Sequence, residues 1–400
     1  MRRLDSELTQ AVILAGGRGT RLRPITDSIP KPMIQFHERP FLHYLVEMLR
    51  DSGFRDILLL LGYLPEPIVD YFGDGAKHGV RIRYSITPVE DETGPRLRAA
   101  ADRLDPLFLL MYCDNYWPIR RDDMCRRFES LSPMAQITVY TNHDRYTRSN
   151  VRVSDEGWVR CYDKTRSQPQ LQGVDIGFVV LKREVMDLLP DGNLNFEASV
   201  YPKLVEMGQL AAYPTDHRYY SVGSHERLPL TAQFLRREPA ILIDRDGVLN
   251  EKAPRAEYVK SWSEFRWRPG AKEALRLLKS AGYRTMVVTN QAGIARGTMT
   301  AGDLEEIHRR MRAEAAEAGG AIDAIYHCPH GWDDGCPCRK PKPGMLFMAQ
   351  REFSLDLSRV CYVGDDERDA EAARRAGCRF EEVSGTTSLL DVVRKELEKC

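Results

Sequence analysis

No stretch of this 400-residue chain is apolar for the roughly 20 residues that a membrane-spanning helix needs. Runs such as Ile57–Leu61 and Phe108–Met111 end after a few positions. Charge of one sign is lacking too. Lys+Arg and Asp+Glu both number 58, giving a formal net charge of zero, and this removes the global basic signature of a nucleic-acid binder. The opening residues, MRRLDSELTQ, carry no apolar core of a secretory signal. Internal repeats, low-complexity tracts and the G-x-x-x-x-G-K-[ST] of a P-loop are also missing. These absences predict a soluble cytoplasmic protein whose partners are small molecules rather than nucleic acid or membrane. What is present suits packed cores: 42% of residues are hydrophobic and 29% charged. At roughly 150 residues per domain, the length predicts two or three domains.

Two segments open alike. Ala11–Ala15 is a short apolar run followed by GGRGTRL, and Ala240–Ile243 is another followed by DRDGVLN. Strand, functional loop, then helix is the opening of an α/β sheet, in which ligands sit at the carboxyl ends of strands. Two such openings predict two α/β domains, residues 1–237 and 238–400. The seam follows a predicted helix over Glu226–Arg237, which ends at Glu238-Pro239.

In the first domain, Ile57–Leu61, Val80–Ile86 and Leu107–Tyr112 read as strands and Phe41–Leu49 as a helix. Alternation over Val151–Tyr162, with a turn at Asp155-Glu156-Gly157, predicts an antiparallel hairpin and hence a mixed sheet. In the second, strands are predicted at Ala240–Asp244, Thr285–Thr289, Ala324–Cys328 and Val360–Gly364. Helices are predicted at Ala271–Ala281, Asp303–Ala318 and Arg368–Ala376, with Thr300 and Asp303 as a capping box.

Chemistry in the first domain concentrates in Ala15–Met33, AGGRGTRLRPITDSIPKPM. A glycine loop after a strand lets backbone N–H groups approach an anion closely. Arg18, Arg21, Arg23 and Lys31 surround it with positive charge suited to a polyphosphate. This string resembles the signature of sugar-1-phosphate nucleotidyltransferases, over roughly residues 10–235. The resemblance implies that Ala15, Gly16, Gly17, Gly19 and Thr20 hold a nucleoside triphosphate. It implies that Arg21 and Lys31 stabilise the phosphates during attack, that Asp114 binds Mg²⁺, and that Lys164, in the pair Asp163-Lys164, contacts the sugar phosphate. Three positions depart from the family pattern. Glu92–Arg98 replaces a second glycine-rich stretch, Cys113-Asp114 replaces Gly-Asp, and Ser221 stands where a second metal aspartate is expected. A hydroxyl is a poor Mg²⁺ ligand beside a carboxylate. Either one metal suffices, another carboxylate such as Asp216 contributes, or the domain's activity is altered.

In the second domain, Asp244 and Asp246 flank Arg245 at a strand end. Two carboxylates so placed can divide the work of nucleophile and proton shuttle. The string resembles the first motif of haloacid dehalogenase-like phosphatases. Thr289-Asn290-Gln291, Arg339-Lys340 and Gly364-Asp365-Asp366, with Asp369 nearby, supply the others in order. The resemblance implies that Asp244 attacks phosphorus and that Asp246 acts as acid and base. Thr289 and Lys340 then hold phosphoryl oxygens. Mg²⁺ is held by Asp244, Asp246 through its backbone carbonyl, and Asp365, with Asp366 assisting. It further implies a Rossmann-like fold for this domain, and a mixed α/β/α nucleotidyltransferase fold for the first.

Of nine cysteines, three crowd into Cys328-Pro-His330…Cys336-Pro-Cys338. Three sulfurs and one imidazole with no open position suit a structural Zn²⁺ site on a small loop. His327 is the competing imidazole. Combined with TNQAGIARG, the cluster is similar to that of D,D-heptose 1,7-bisphosphate phosphatases and their histidinol-phosphate relatives. That likeness places Asn290, Gln291, Arg339, Lys252 and Arg255 around the substrate. The two resemblances predict consecutive steps: dephosphorylation of a heptose bisphosphate, then nucleotidyl transfer, with GTP, to the remaining 1-phosphate. The alternative is a phosphatase for histidinol phosphate or another small phosphomonoester, joined to a catalytically weak sugar-phosphate binding domain.

Overall fold

The computed structural model describes residues 7–254 and 257–399. It divides into two compact units, Met1–Leu235 and Arg236–Cys400.

The first unit is built on a seven-stranded sheet. Its order is Leu210–Thr215, Ala135–Tyr140, Val174–Lys182, Leu107–Tyr112, Gln10–Ala15, Asp56–Leu61, Arg81–Ile86. Only Val174–Lys182 runs antiparallel to its neighbours, so the sheet is mixed. Successive side chains of a strand point to opposite faces, and this one chain of residues therefore feeds two cores. Ile13 and Leu59 join one, Val12 and Leu58 the other. Continuous apolar strands such as Ile57–Leu61 are what a sheet covered on both faces requires. The hairpin forms between Val151–Val153 and Val159–Tyr162.

The second unit carries a five-stranded parallel sheet, ordered Ala324–Cys328, Arg284–Asn290, Ala240–Ile243, Cys361–Gly364, Arg379–Glu382. The chain moves outward to one side of its first strand, then crosses to the other side. This leaves a crevice at the carboxyl ends of the first and fourth strands. Ile241 and Ile243 face one core, Leu242 the other. The Thr300–Asp303 capping box starts the helix Ala301–Glu317.

The structure corrects several boundaries. No helix follows either functional loop directly. Short 3₁₀ turns at Thr20–Leu22, Ile25–Asp27 and Lys31–Met33 follow Ala15, because Pro24, Pro30 and Pro32 interrupt any longer helix. After Ile243 the first α-helix among the described residues is Ala271–Ser280. The predicted helix over Glu226–Arg237 divides into a 3₁₀ turn, His225–Arg227, and an α-helix, Leu228–Leu235. The strand predicted from Val80 starts at Arg81, and that from Val360 starts at Cys361.

Candidate active sites

In the first unit, register places the functional loops side by side. Leu14 pairs with Tyr112, and the Cys113 N–H donates to the Leu14 carbonyl at 3.3 Å. The glycine loop after Ala15 and the Asp114 turn therefore leave the sheet at adjacent points. Lys31 Nζ lies 2.7 Å from Asp114 Oδ2. Burial penalises both charges, but the pairing wins: the Lys31 ammonium is raised and the Asp114 carboxyl held below its usual range. Arg21 contributes positive charge to the same spot. Gly19 is left-handed (φ 63°), and a Cβ there would stand 3.1 Å from both Lys31 and Thr26. Thr26 Oγ1 donates to the Gly19 carbonyl at 3.0 Å, folding the loop back over Lys31. Thr20 begins the first 3₁₀ turn.

Ser221 pairs with Asn115, one residue past Asp114, but its Oγ accepts the Gly223 N–H at 3.0 Å. Asp216 is no substitute. It follows a strand three places from Leu107–Tyr112, about 14 Å away at ordinary strand spacing, and is engaged by Thr141 and His143. Lys164 reaches Glu197 at 3.1 Å and Asn195 at 2.6 Å. Asp163 instead folds onto its own loop, accepting from Thr165, Ser167 and Gln168.

Two features of this site escaped the sequence reading. Asp175, half-buried, is pushed up to about 7 by desolvation and the nearby Glu197 charge. Its signal was a lone carboxylate in an apolar strand. Arg96, inside the segment that replaces the glycine stretch, is 3% exposed and packs beneath Gly16. Its guanidinium donates to the Leu61, Gly16, Pro88 and Val89 carbonyls and to Thr87. It staples the glycine loop to two neighbouring connections.

In the second unit, the strand ending at Ile243 delivers Asp244 and Asp246 into the crevice. Lys340 Nζ lies 2.8 Å from Asp244 and 2.7 Å from Asp369, and Tyr362 donates to Asp369 at 2.8 Å. Burial pushes the Asp244 carboxyl up to about 7 against the pull of Lys340. Asp246 behaves oppositely. Burial raises it, but Arg245, Asn250 and Gln291 outweigh that and hold it low. The Arg245 side chain is fully buried and grips both Asp246 oxygens, at 2.9 and 2.8 Å. His308 backs the guanidinium at 3.4 Å.

Thr289 is buried, its Oγ 3.5 Å from Asp246. Asn290 and Gln291 reach the site but spend their amides on protein. Asn290 exchanges hydrogen bonds with the Lys340 backbone at 3.0 and 3.1 Å, and Gln291 donates to Asp246 and Thr289. Lys252 pairs with Asp365 at 2.9 Å. Arg255, expected near the substrate, lies outside the described residues.

Carboxylate oxygens of Asp244, Asp365 and Asp369 lie within 4.8 Å of one another. Asp366, expected to assist the metal, stands apart from that group. Its carboxylate is held by both Arg368 donors at 2.8 Å and caps the helix Glu367–Ala376. Asp369, one helical turn into that helix, projects inward instead. Three hard oxygens balanced by two lysines fit a divalent cation such as Mg²⁺.

Cys328, His330, Cys336 and Cys338 also converge within 4.8 Å. Their closest ligand pairs span 3.2 to 3.6 Å. A tetrahedral Zn²⁺ with bonds of 2.0–2.3 Å has edges of about 3.8 Å or slightly less, so the donor set fits zinc. His327 is absent from this group; its ring faces His308 at 5.8 Å. The loop that bears the cluster lends Trp332 and Arg339 to a cavity of about 600 Å³ whose floor holds Asp244, Asp246 and Lys340.

The chain matches the nucleotidyl transferase family over residues 10–237 and the haloacid dehalogenase-like hydrolases over 226–377. Among curated relatives it is 45% identical to the D-glycero-beta-D-manno-heptose-1,7-bisphosphate 7-phosphatase of Pseudomonas aeruginosa, over 139 residues, 35% of this chain and 77% of that protein. It is 36% identical to the corresponding alpha-anomer 7-phosphatase of Mycobacterium tuberculosis, over 37% of this chain and 80% of that one. A solved glucose-1-phosphate thymidylyltransferase, described as putative, from Bacillus anthracis shares the fold of the first unit at 19% identity. Its TM-score is 0.52, covering 57% of this chain and 95% of that chain. Fold and sites thus define a two-domain enzyme that joins nucleotidyltransferase and phosphatase machinery. The chain belongs to the nucleotidyl transferase family through its first unit and to the heptose-1,7-bisphosphate 7-phosphatase family through its second.

Proposed function

We propose that the second unit removes the 7-phosphate of D-glycero-D-manno-heptose 1,7-bisphosphate, and that the first transfers a guanylyl group from GTP to the heptose 1-phosphate so formed. The observation that supports the first step most directly is the floor of the cavity, where Asp244, Asp246, Thr289 and Lys340 meet.

Asp244 Oδ attacks the 7-phosphorus while the bond from phosphorus to the sugar oxygen breaks. Asp246, held low in the free site by Arg245, Asn250 and Gln291, enters this step protonated once the anionic phosphate lies beside it, and gives that oxygen its proton, leaving an aspartyl-phosphate. Asp246 then takes a proton from water, whose oxygen attacks the same phosphorus and frees Asp244 and inorganic phosphate. Arg245 and Gln291 fix the Asp246 carboxylate, and Asn290 fixes the Lys340 backbone. Lys340 and Thr289 donate to the equatorial oxygens. Asp244, Asp365 and the Asp246 carbonyl, with Asp369 beside them, would hold Mg²⁺, which would neutralise the phosphoryl charge. Cys328, His330, Cys336 and Cys338 would hold Zn²⁺, which would fix the loop that carries Arg339 and Lys340.

In the first unit, a phosphate oxygen of the sugar phosphate attacks the α-phosphorus of the triphosphate and pyrophosphate leaves. Arg21, just after the glycine loop, and Lys31, from the turn Lys31–Met33, face those phosphates, and Lys164 stands beside the sugar phosphate. Asp114 would offer Mg²⁺ a single carboxylate, and the ion would neutralise charge on the triphosphate. A second reading, a sugar-phosphate binding module without transfer, is favoured by Ser221 and its occupied Oγ.

One experiment separates these readings. Purified chain, Mg²⁺ and heptose 1,7-bisphosphate are mixed with GTP, ATP, CTP or UTP, and phosphate and pyrophosphate are followed together, with Asp244→Asn as control. Phosphate plus pyrophosphate with GTP supports both steps. Phosphate alone favours the binding module. No phosphate from the bisphosphate, with release from histidinol phosphate, overturns the heptose assignment.

A further inference from the structure

The cavity of the second unit separates its charges. Its carboxylates Asp244 and Asp369 are buried and Asp246 half-buried at the floor, whereas its mouth carries Lys252, Arg296, Arg339 and Arg368 beside Asp366 and the exposed Glu257. Two of these mouth cations are compensated, Lys252 by Asp365 at 2.9 Å and Arg368 by Asp366 at 2.8 Å.

Arg296 and Arg339 differ. Among the described residues neither has a carboxylate within ion-pair distance. Each rests on an aromatic ring instead. The Arg339 guanidinium lies 4.7 Å from the centroid of Trp332, and that of Arg296 lies 5.7 Å from Tyr258. An arginine on an aromatic face keeps its full charge and turns the edge of its donor fork outward. Trp332 is 61% exposed, an unusual place for the largest apolar side chain unless it supports something. Arg339 is tethered further by a bond from Nη1 to the His330 carbonyl at 3.1 Å.

Backbone bonds bring the two shelves together. The Ala295 N–H donates to Pro329 at 3.2 Å and the Gln291 N–H to Cys328 at 2.7 Å. The turn that ends in Arg296 is therefore laced to the loop that bears Trp332. At the floor, one phosphoryl group already has Lys340 and Thr289. The cavity of about 600 Å³ leaves room for a sugar and a second anion beyond it. Two uncompensated guanidinium forks at the mouth are the donors that a phosphate accepts bidentately.

We propose that Arg296 joins Arg339 in a clamp for the phosphate remote from Asp244, with Tyr258 and Trp332 as the shelves that position the two guanidiniums. Arg296 is thereby a specificity-determining residue for sugar bisphosphates. This rests on the phosphatase reading above.

The test compares kcat/KM for two pairs of substrates, heptose 1,7-bisphosphate against heptose 7-phosphate and fructose 1,6-bisphosphate against fructose 6-phosphate. Arg296→Ala, Arg296→Lys and Trp332→Ala are measured beside the unaltered chain, with zinc content and thermal unfolding as checks of folding. The expected result is that Arg296→Ala lowers the bisphosphate-to-monophosphate ratio about tenfold, mainly through KM. Trp332→Ala should lower it about fivefold, and Arg296→Lys should recover part of the loss. A ratio unchanged in Arg296→Ala overturns the clamp while the heptose reading stands. A preference for the fructose bisphosphate alone, lost in Arg296→Ala, overturns the heptose reading and supports the clamp. No preference for either bisphosphate in the unaltered chain overturns the clamp.

Discussion

Replacing Lys340 by methionine should destabilise the second unit in a pH-dependent way. The ammonium is buried and has a carboxylate on each side, at 2.8 and 2.7 Å. At an effective permittivity of about 20, each contact amounts to about 6 kcal/mol of gross attraction. Most of that offsets the cost of burying the charges, so the pair says little about net stability. Removing one partner is different, because Asp244 and Asp369 stay behind without their cation. Such losses are about 3–5 kcal/mol. The orphaned carboxylates relieve part of the cost by taking protons, and Asp244 already sits at about 7 with Lys340 present. Without the lysine its native pKa rises further above the unfolded value. The native state then binds protons that the unfolded state does not, and stability falls as pH rises through this range. The deficit of Lys340→Met should therefore be smaller at pH 6 than at pH 8.5. Hydrogen exchange of Arg284–Asn290 and Cys361–Gly364, in chelator and without phosphate, reads this unit by itself. Adding Asp369→Asn should restore part of the loss. A deficit below about 1 kcal/mol, or one independent of pH between 6 and 8.5, would refute the reasoning.

Other outcomes follow from the same geometry. Cys336→Ser should lower bound zinc and phosphate release together while pyrophosphate release from supplied heptose 1-phosphate and GTP persists, which metal analysis and the two product assays check. Asp114→Asn should abolish pyrophosphate release and leave phosphate release within about twofold, since the residue belongs to the other unit. Asp175, raised to about 7, makes the first unit lose stability as pH climbs from its unfolded value near 4 to about 7, by at most about 4 kcal/mol. Asp175→Asn should flatten that slope in urea titrations followed across this range.

The second unit was the more legible in sequence because its chemistry is local. Asp244 and Asp246 are two residues apart, and the zinc donors fall within eleven residues, so spacing alone exposes them. The strands Val174–Lys182 and Leu210–Thr215 were not foreseen, since apolar runs without regular alternation do not declare their partners. Asp369 was seen only as a neighbour. Whether it or Asp366 turns inward depends on which side of the helix Glu367–Ala376 meets the sheet, and Arg368 decides the matter by claiming Asp366. Arg96 was hidden for another reason. Its partners Leu61, Gly16 and Pro88 come from three separate segments and are all backbone carbonyls, which leave no mark in a sequence.

Cys338, Arg339 and Lys340 are consecutive, and that leaves the chain no slack. A single inserted residue there would carry the ammonium about 3.3 Å out of place, farther than its contacts with Asp244 and Asp369 tolerate. Gly331–Gly335, by contrast, lie between His330 and Cys336 and reach neither the floor nor the sheet. They form a replaceable cassette between two fixed anchors. Of these five positions Trp332 lines the cavity, so a change there alters the cavity wall without lengthening the link from Cys338 to Lys340.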